Sequence, residues 1–111
     1  MALGRVRDQR TFRALRRSGT RGRSGPVAVI ALVDPESGTG ARAAFAVGKR
    51  VGSAVVRNRV RRRLRTILGE LDLVPGAYLV IAGPETASIV YADLQHHVSR
   101  AVAVATDRTA A

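Results

Sequence analysis

Ser53-Ala54-Val55-Val56-Arg57-Asn58-Arg59-Val60-Arg61-Arg62-Arg63-Leu64-Arg65-Thr66-Ile67-Leu68-Gly69 carries two chemistries on one periodicity. At about 100° per residue, Val56, Val60, Leu64 and Ile67 fall on one stripe. Asn58, Arg62 and Arg65 fall opposite that stripe, and Arg59 and Arg61 flank it. Ser53 offers an N-cap oxygen and Gly69 a stop, so the spacing predicts a helix over 53–68. Its inner side is aliphatic and suited to packing on a sheet. Its outer side is a row of guanidinium groups, with six arginines in the nine residues from 57 to 65. Such a row repels itself, which points to a polyanionic partner rather than a merely solvated face.

Outward from this helix the chain alternates between strand and helix patterns. Upstream, Ala41–Val47 places Ala43, Phe45 and Val47 on one face, as a half-buried strand does. Asp34–Gly40 is turn chemistry, and Val27–Val33 is a β-branched run of strand length, so a hairpin of these two strands is expected. Thr20–Pro26 reads as a mobile, basic, glycine-rich loop, whose Arg21 and Arg23 would add only non-specific attraction to an anion. Residues 8–18 read as a short helix with Asp8 as N-cap, Phe12 and Leu15 on one face and Gly19 as its stop. Downstream, Pro75-Gly76 turns into a strand over Ala77–Ala82, ended by Gly83-Pro84. A last helix, from Thr86 or Ser88, puts Val90, Leu94, Val98, Ala101 and Ala105 on one side, and 106–111 is expected to fray. Helix, two strands, basic helix, strand, helix gives an α+β fold. The expected architecture is a two-layer sandwich of a small central sheet with three helices, in one domain spanning 1–111.

Composition agrees with binding and argues against chemistry. A chain of 111 residues with 46% hydrophobic side chains can fold around one modest core. It has no cysteine, hence no disulfide framework or thiolate metal site. Met1–Arg7 contains no apolar run of the secretory kind, and the longest uncharged stretch, Leu73–Pro84, is too short to span a bilayer; a soluble, cytoplasmic protein is expected. The net charge is +11, and 17 of the 19 basic residues lie in 1–65 beside only three acids. Eighteen of the 19 are arginine, the side chain that grips phosphate bidentately and stacks on bases. The eight acids are scattered singly, and His96 and His97 are adjacent, so they cannot share one helix face. Hydrolytic metal or acid–base chemistry needs such groups gathered. No P-loop or dinucleotide fingerprint is present. The chain is expected to do no chemistry unaided and to bind no metal or small-molecule cofactor itself. A membrane-surface role is disfavoured, since the apolar stripe of the basic helix is narrow and lacks aromatics.

The longer segment Gly48-Lys49-Arg50-Val51-Gly52-Ser53-Ala54-Val55-Val56-Arg57-Asn58-Arg59-Val60-Arg61-Arg62-Arg63-Leu64-Arg65 resembles the signature of the bacterial ribonuclease P protein subunit. That family carries two basic residues, a variable residue, a glycine, an Ala-Val pair, then Arg-Asn-Arg and further cations at helical spacing. The likeness runs along nearly the whole chain, and Phe12 followed by Gly19 looks like the family's first helix and its stop. The resemblance implies an endoribonuclease holoenzyme that removes the 5′ leader of precursor tRNA. In it the RNA subunit is the catalyst and holds the required Mg2+. It also implies a left-handed crossover around the basic helix, where general topology rules predict a right-handed one.

Carried over by position, Arg57, Asn58, Arg59, Arg61, Arg62 and Arg65 would face the RNA subunit, with Lys49 and Arg50 at the start of the helix. Phe12, Arg13 and Arg16 would line a cleft for the single-stranded leader. From the residues alone, Phe12 suits either the core or a stacking platform among Arg10, Arg13, Arg16 and Arg17. The chain departs from the family where a second aromatic of the first helix is replaced by Arg16. Its first strand also lacks an aromatic, and Gly83 stands where an arginine is common, so the cleft should rely more on charge. A small ribosomal-type RNA-binding protein is the alternative, but such proteins usually carry long lysine-rich tails, absent here.

Overall fold

A computed structural model describes residues 3–107. The elements run β1 (Gly4–Arg5), α1 (Gln9–Ser18), β2 (Thr20–Ser24), β3 (Val27–Val33) and β4 (Ala41–Val47). A 3-10 turn at Lys49–Val51 leads into α2 (Ala54–Glu70), then β5 (Gly76–Ala82), a second 3-10 turn at Pro84–Ala87, and α3 (Tyr91–Thr106). The expected caps are in place. The Asp8 carboxylate accepts from the Thr11 hydroxyl (2.7 Å) and Thr11 N–H (2.9 Å), which hold its pKa below the usual carboxylate range. Ser53 Oγ accepts from Val56 N–H at 3.3 Å. Thr106 is still helical, its hydroxyl donating to the Val102 carbonyl at 2.8 Å, whereas 108–111 of the expected frayed tail lies outside the described residues.

The five strands form one mixed sheet in the order β1-β4-β5-β3-β2. The expected hairpin of β3 with β4 is therefore not formed: β5 lies between them, antiparallel to β3 and parallel to β4. The reason is burial. Six of the seven residues of β5 are buried, on both faces, so it needs a neighbour on each side and a cover above and below. One sheet face carries Val29, Ala43, Tyr78 and Val80 into the main core. There they meet Val60, Leu64, Ile67 and Leu68 of α2 and Leu94, Val98 and Ala101 of α3. The other face carries Ile30, Ala77 and Leu79 against Leu15 of α1 and Val6. The sheet and the α2–α3 layer form the body of the sandwich, and α1 sits across it.

The crossover from β4 through α2 to β5 is left-handed, as the hydrogen bonds require. Val6 N–H donates to the Ala43 carbonyl (3.0 Å), so the peptide groups of Ala43, whose side chain enters the α2 core, point toward β1. Seen from the α2 side with β4 running up, L-chirality makes such groups point right. β1 thus lies to the right of β4 and β5 to its left. A chain that rises through β4, returns through α2 in front and rises again on the left has turned left-handedly, against the usual rule.

Three further expectations are corrected. Thr20–Ser24 is a strand, not a loop. Gly25-Pro26 makes a two-residue hairpin loop, with the positive φ (54°) that a glycine at its first position supplies. The strand is pinned by α3, which comes so close that a Cβ on Gly22 would lie 2.2 Å from the Ala101 carbonyl oxygen. Helix α2 runs through Gly69 to Glu70 and ends where Leu71 and Leu73 turn back onto the core. Helix α3 starts at Tyr91 rather than at Thr86 or Ser88. Thr86 is fully buried, its hydroxyl donating to the Gly83 carbonyl (2.7 Å), and Val90, expected on the apolar face, is the N-cap and 65% exposed.

Gly22→Ala should therefore destabilise the fold by about 1 to 3 kcal/mol through overpacking against α3. Gly69→Ala should stabilise it by about 0.5 to 1 kcal/mol, because a Cβ there meets nothing within 4 Å and glycine is a poor helix former. Urea denaturation of the two variants beside the parent measures both; equal shifts would contradict the packing described.

Candidate nucleic-acid interface

The arginine row of α2 divides, in the folded protein, into free and committed groups. Asn58 and Arg62 are exposed. Arg59 lies half-buried along the helix: its Nη2 donates to the Ala87 carbonyl (3.0 Å), tying α2 to the turn before α3. Arg61 donates through Nη1 to Asn58 Oδ1 (3.0 Å) and through Nη2 to the Val47 carbonyl (3.4 Å) at the end of β4. The Nε atoms of Arg57 and Arg59 are buried with no hydrogen-bond partner. Arg65, placed opposite the apolar stripe by helix phase, instead lies half-buried with its guanidinium 5.1 Å from the centre of the Phe45 ring. Burial, and secondarily the nearby Arg5 cation, lower its pKa from the usual arginine value.

Each committed arginine keeps donors to spare, since a guanidinium has five and these spend one or two. Carboxylates do not balance them. Asp8 with Arg42, at 3.6 Å, is the one ion pair among the described residues. Uncompensated positive charge on a rigid helix is a standing demand for anions, met in solution by loosely held counterions that a polyphosphate chain displaces.

The residues assigned to the leader cleft lie on the opposite sheet face. Phe12 is half-buried and packs against the cluster of Val6, Leu15, Ile30, Ala77 and Leu79, while Arg13 and Arg16 are exposed. Core member and accessible ring edge are thus combined in one side chain. Beside α1 is a hollow of about 240 Å³ whose lining includes Arg10, Thr11, Leu32 and Arg42. Arg42, which sequence reasoning missed, fixes its position through Asp8 and Thr11 Oγ1 (3.5 Å). Only its alternating place on β4 hinted at that.

The α1 set and the α2 set are separated by the sheet and do not form one pocket. At the strand ends beside α2, a trough of about 670 Å³ is lined by Phe45, Val47, Arg50, Arg61, Ile81 and Pro84. Lys49 and Arg50, both exposed, stand on the 3-10 turn at this end. The meeting of Arg50 with Arg61 is a product of the fold, since they are eleven positions apart on different elements.

The two histidines are accounted for structurally. His97 shares a 2.7 Å hydrogen bond with Ser24 Oγ, and His96 packs edge-on to it at 5.6 Å. Among the described residues, no three His, Asp or Glu side chains gather where they could hold a metal ion, and no helix is long and apolar enough to cross a membrane.

With this geometry established, likeness to known proteins is informative. Residues 2–106 match the family model described as Ribonuclease P. The ribonuclease P protein component of Thermus brockianus is 42% identical over 97 residues, covering 87% of this chain and 57% of the relative. That of a Nocardioides species is 37% identical over 103 residues, covering 89% and 88%. The chain thus spans little more than half the length of its Thermus relative. The solved RNase P protein of Staphylococcus aureus superposes with a TM-score of 0.78 at 19% identity, covering 92% of this chain and 94% of that one, which establishes the shared fold. By the extent of that family match, the chain belongs to the ribonuclease P protein family.

Proposed function

We propose that this protein is the RNA-binding subunit of a ribonuclease P holoenzyme, in which a catalytic RNA removes the 5′ leader from precursor tRNA. The single observation that carries this reading is the α2 row, arginine-rich and without a carboxylate partner among the described residues. In the proposed holoenzyme, Lys49, Arg50, Arg57, Asn58, Arg59, Arg61, Arg62 and Arg65 contact the RNA subunit. Phe12, Arg13 and Arg16 contact the single-stranded leader. Membership of the family supports both assignments, and so does the placement of the two sets on opposite sheet faces, which lets one protein touch two RNAs at once.

The chemistry belongs to the RNA and its Mg2+, because the carboxylates here are dispersed. The protein binds, orients and screens. Arginines set between two phosphate chains reduce their repulsion and replace diffuse counterions, so fewer free divalent ions are needed to hold enzyme and substrate together. A holoenzyme acting on newly made RNA belongs in the cytoplasm.

Five outcomes test the reading. Purified protein should leave precursor tRNA uncut, and added to a candidate catalytic RNA it should lower the Mg2+ concentration for half-maximal cleavage; an unchanged requirement would refute the screening role. Arg62→Ala should leave the melting temperature unchanged and flatten the log-affinity versus log-salt slope for the RNA subunit by about 0.9. Arg59→Ala should also lose about 1 kcal/mol of stability with the Ala87 contact. Phe12→Ala should cost about 1 to 2 kcal/mol of stability, less than a fully buried ring. It should also weaken precursor tRNA binding by about 1 to 3 kcal/mol while sparing mature tRNA. Titrations of both tRNAs with wild-type and variant holoenzymes decide, and equal loss for both would leave the ring a purely structural part.

A further inference from the structure

The strand β2 puts to use two arginines that a loop would have left as diffuse charge. Thr20, Gly22 and Ser24 face α3, where Gly22 is buried and Ser24 bonds His97. Alternation sends Arg21 and Arg23 to the other face, the one that carries α1, opposite Ile30 and Ala28 of β3. Both are exposed, two residues apart on a paired strand, roughly 6.8 Å along it. That step is comparable to the one between neighbouring phosphates of an extended nucleic-acid strand.

Between these arginines and the end of β5 lies a groove of about 330 Å³, lined also by Ala28, Ile81, Gly83 and Pro84. Ile81, Gly83 and Pro84 line the Arg50–Arg61 trough as well, so the two hollows run into each other. Gly83 keeps the junction open, since even a Cβ there would meet the Pro26 carbonyl oxygen at 3.2 Å. No described carboxylate is within ion-pair distance of Arg21 or Arg23. Glu85 lies on the far wall, which confines an anionic backbone to the β2 side. The lining has no aromatic ring, so stacking would be on the guanidinium planes and base preference weak.

We propose that Arg21 and Arg23 form a binding site for leader nucleotides upstream of those held beside α1, gripping two successive phosphates of the single strand. The site lies on the α1 face of the sheet, on the side opposite the exposed Arg62 of α2, and its groove meets the Arg50–Arg61 trough at the strand ends. The assignment rests on the leader reading of the α1 face given above and extends the leader path across the strand ends.

The test uses reconstituted holoenzyme and a series of precursor tRNAs with leaders of increasing length, plus mature tRNA. Wild-type affinity should rise as the leader lengthens. The Arg21→Ala/Arg23→Ala double variant should lose that increment and match wild type on the shortest leader and on mature tRNA. On the longest leader its salt slope should be flatter by about 1.4, at about 0.7 per single-strand phosphate. Arg21→Lys with Arg23→Lys keeps both charges and should retain most of the slope, which guards against a folding artefact of the alanine pair. An undiminished length increment in the double alanine variant would overturn the site. So would equal loss on mature tRNA, which would mean that the arginines touch the RNA subunit or the tRNA body. If wild-type protein itself conferred no preference for leader-bearing substrate, the wider leader reading would fall instead, a distinguishable result.

Discussion

Strand β5 is apolar on both faces, and a segment with no solvent side can lie only in the middle of a covered sheet. It pairs along its whole length with β3 on one side and β4 on the other, and much else is set by that demand. A parallel partnership between β4 and β5 requires a crossover, and α2 is that crossover. Its stripe of Val60, Leu64, Ile67 and Leu68 covers the β5 residues Tyr78 and Val80. The same packing that buries this stripe holds the arginine row outward at fixed height. Burial of β5 and presentation of positive charge are two sides of one helix.

The row is not uniform, and the difference is physical. Arg59 and Arg61 lie beside the backbone carbonyls of Ala87 and Val47 and donate to them. Arg65 finds an aromatic face. Each is thereby ordered in advance, so less side-chain freedom would be lost in binding the proposed RNA partner. Arg62 remains exposed and suits long-range attraction instead. On the proposed reading, the half-buried arginines join the strength of the fold to the affinity for RNA, whereas the exposed ones affect affinity alone.

Across the sheet the chain solves a second problem with fewer aromatics. Phe12 is anchored in the smaller core and offers only part of its ring. Arg10, Arg13 and Arg16 on α1, Arg42 on β4, and Arg21 and Arg23 on β2 surround an open surface of alanine and isoleucine. For the proposed leader, charge and shape would replace stacking there, which favours any unpaired strand over the reading of particular bases.

Local chemistry alone determined the helices and three of the strands, the Asp8 and Ser53 caps, the α2 stripe and the identity of the cationic helix. Each depends on neighbours within a turn or two of sequence. The order of the strands, the left-handed crossover and the existence of β2 were decided by tertiary structure. Thr20–Ser24 has poor strand propensity, and only the close approach of α3 to Gly22 makes the paired state the stable one. The same holds for the site. Sequence marked which arginines lie on α2, but their free or committed state depends on carbonyls of Val47 and Ala87, brought close only by the packing of β4 and α3 around that helix.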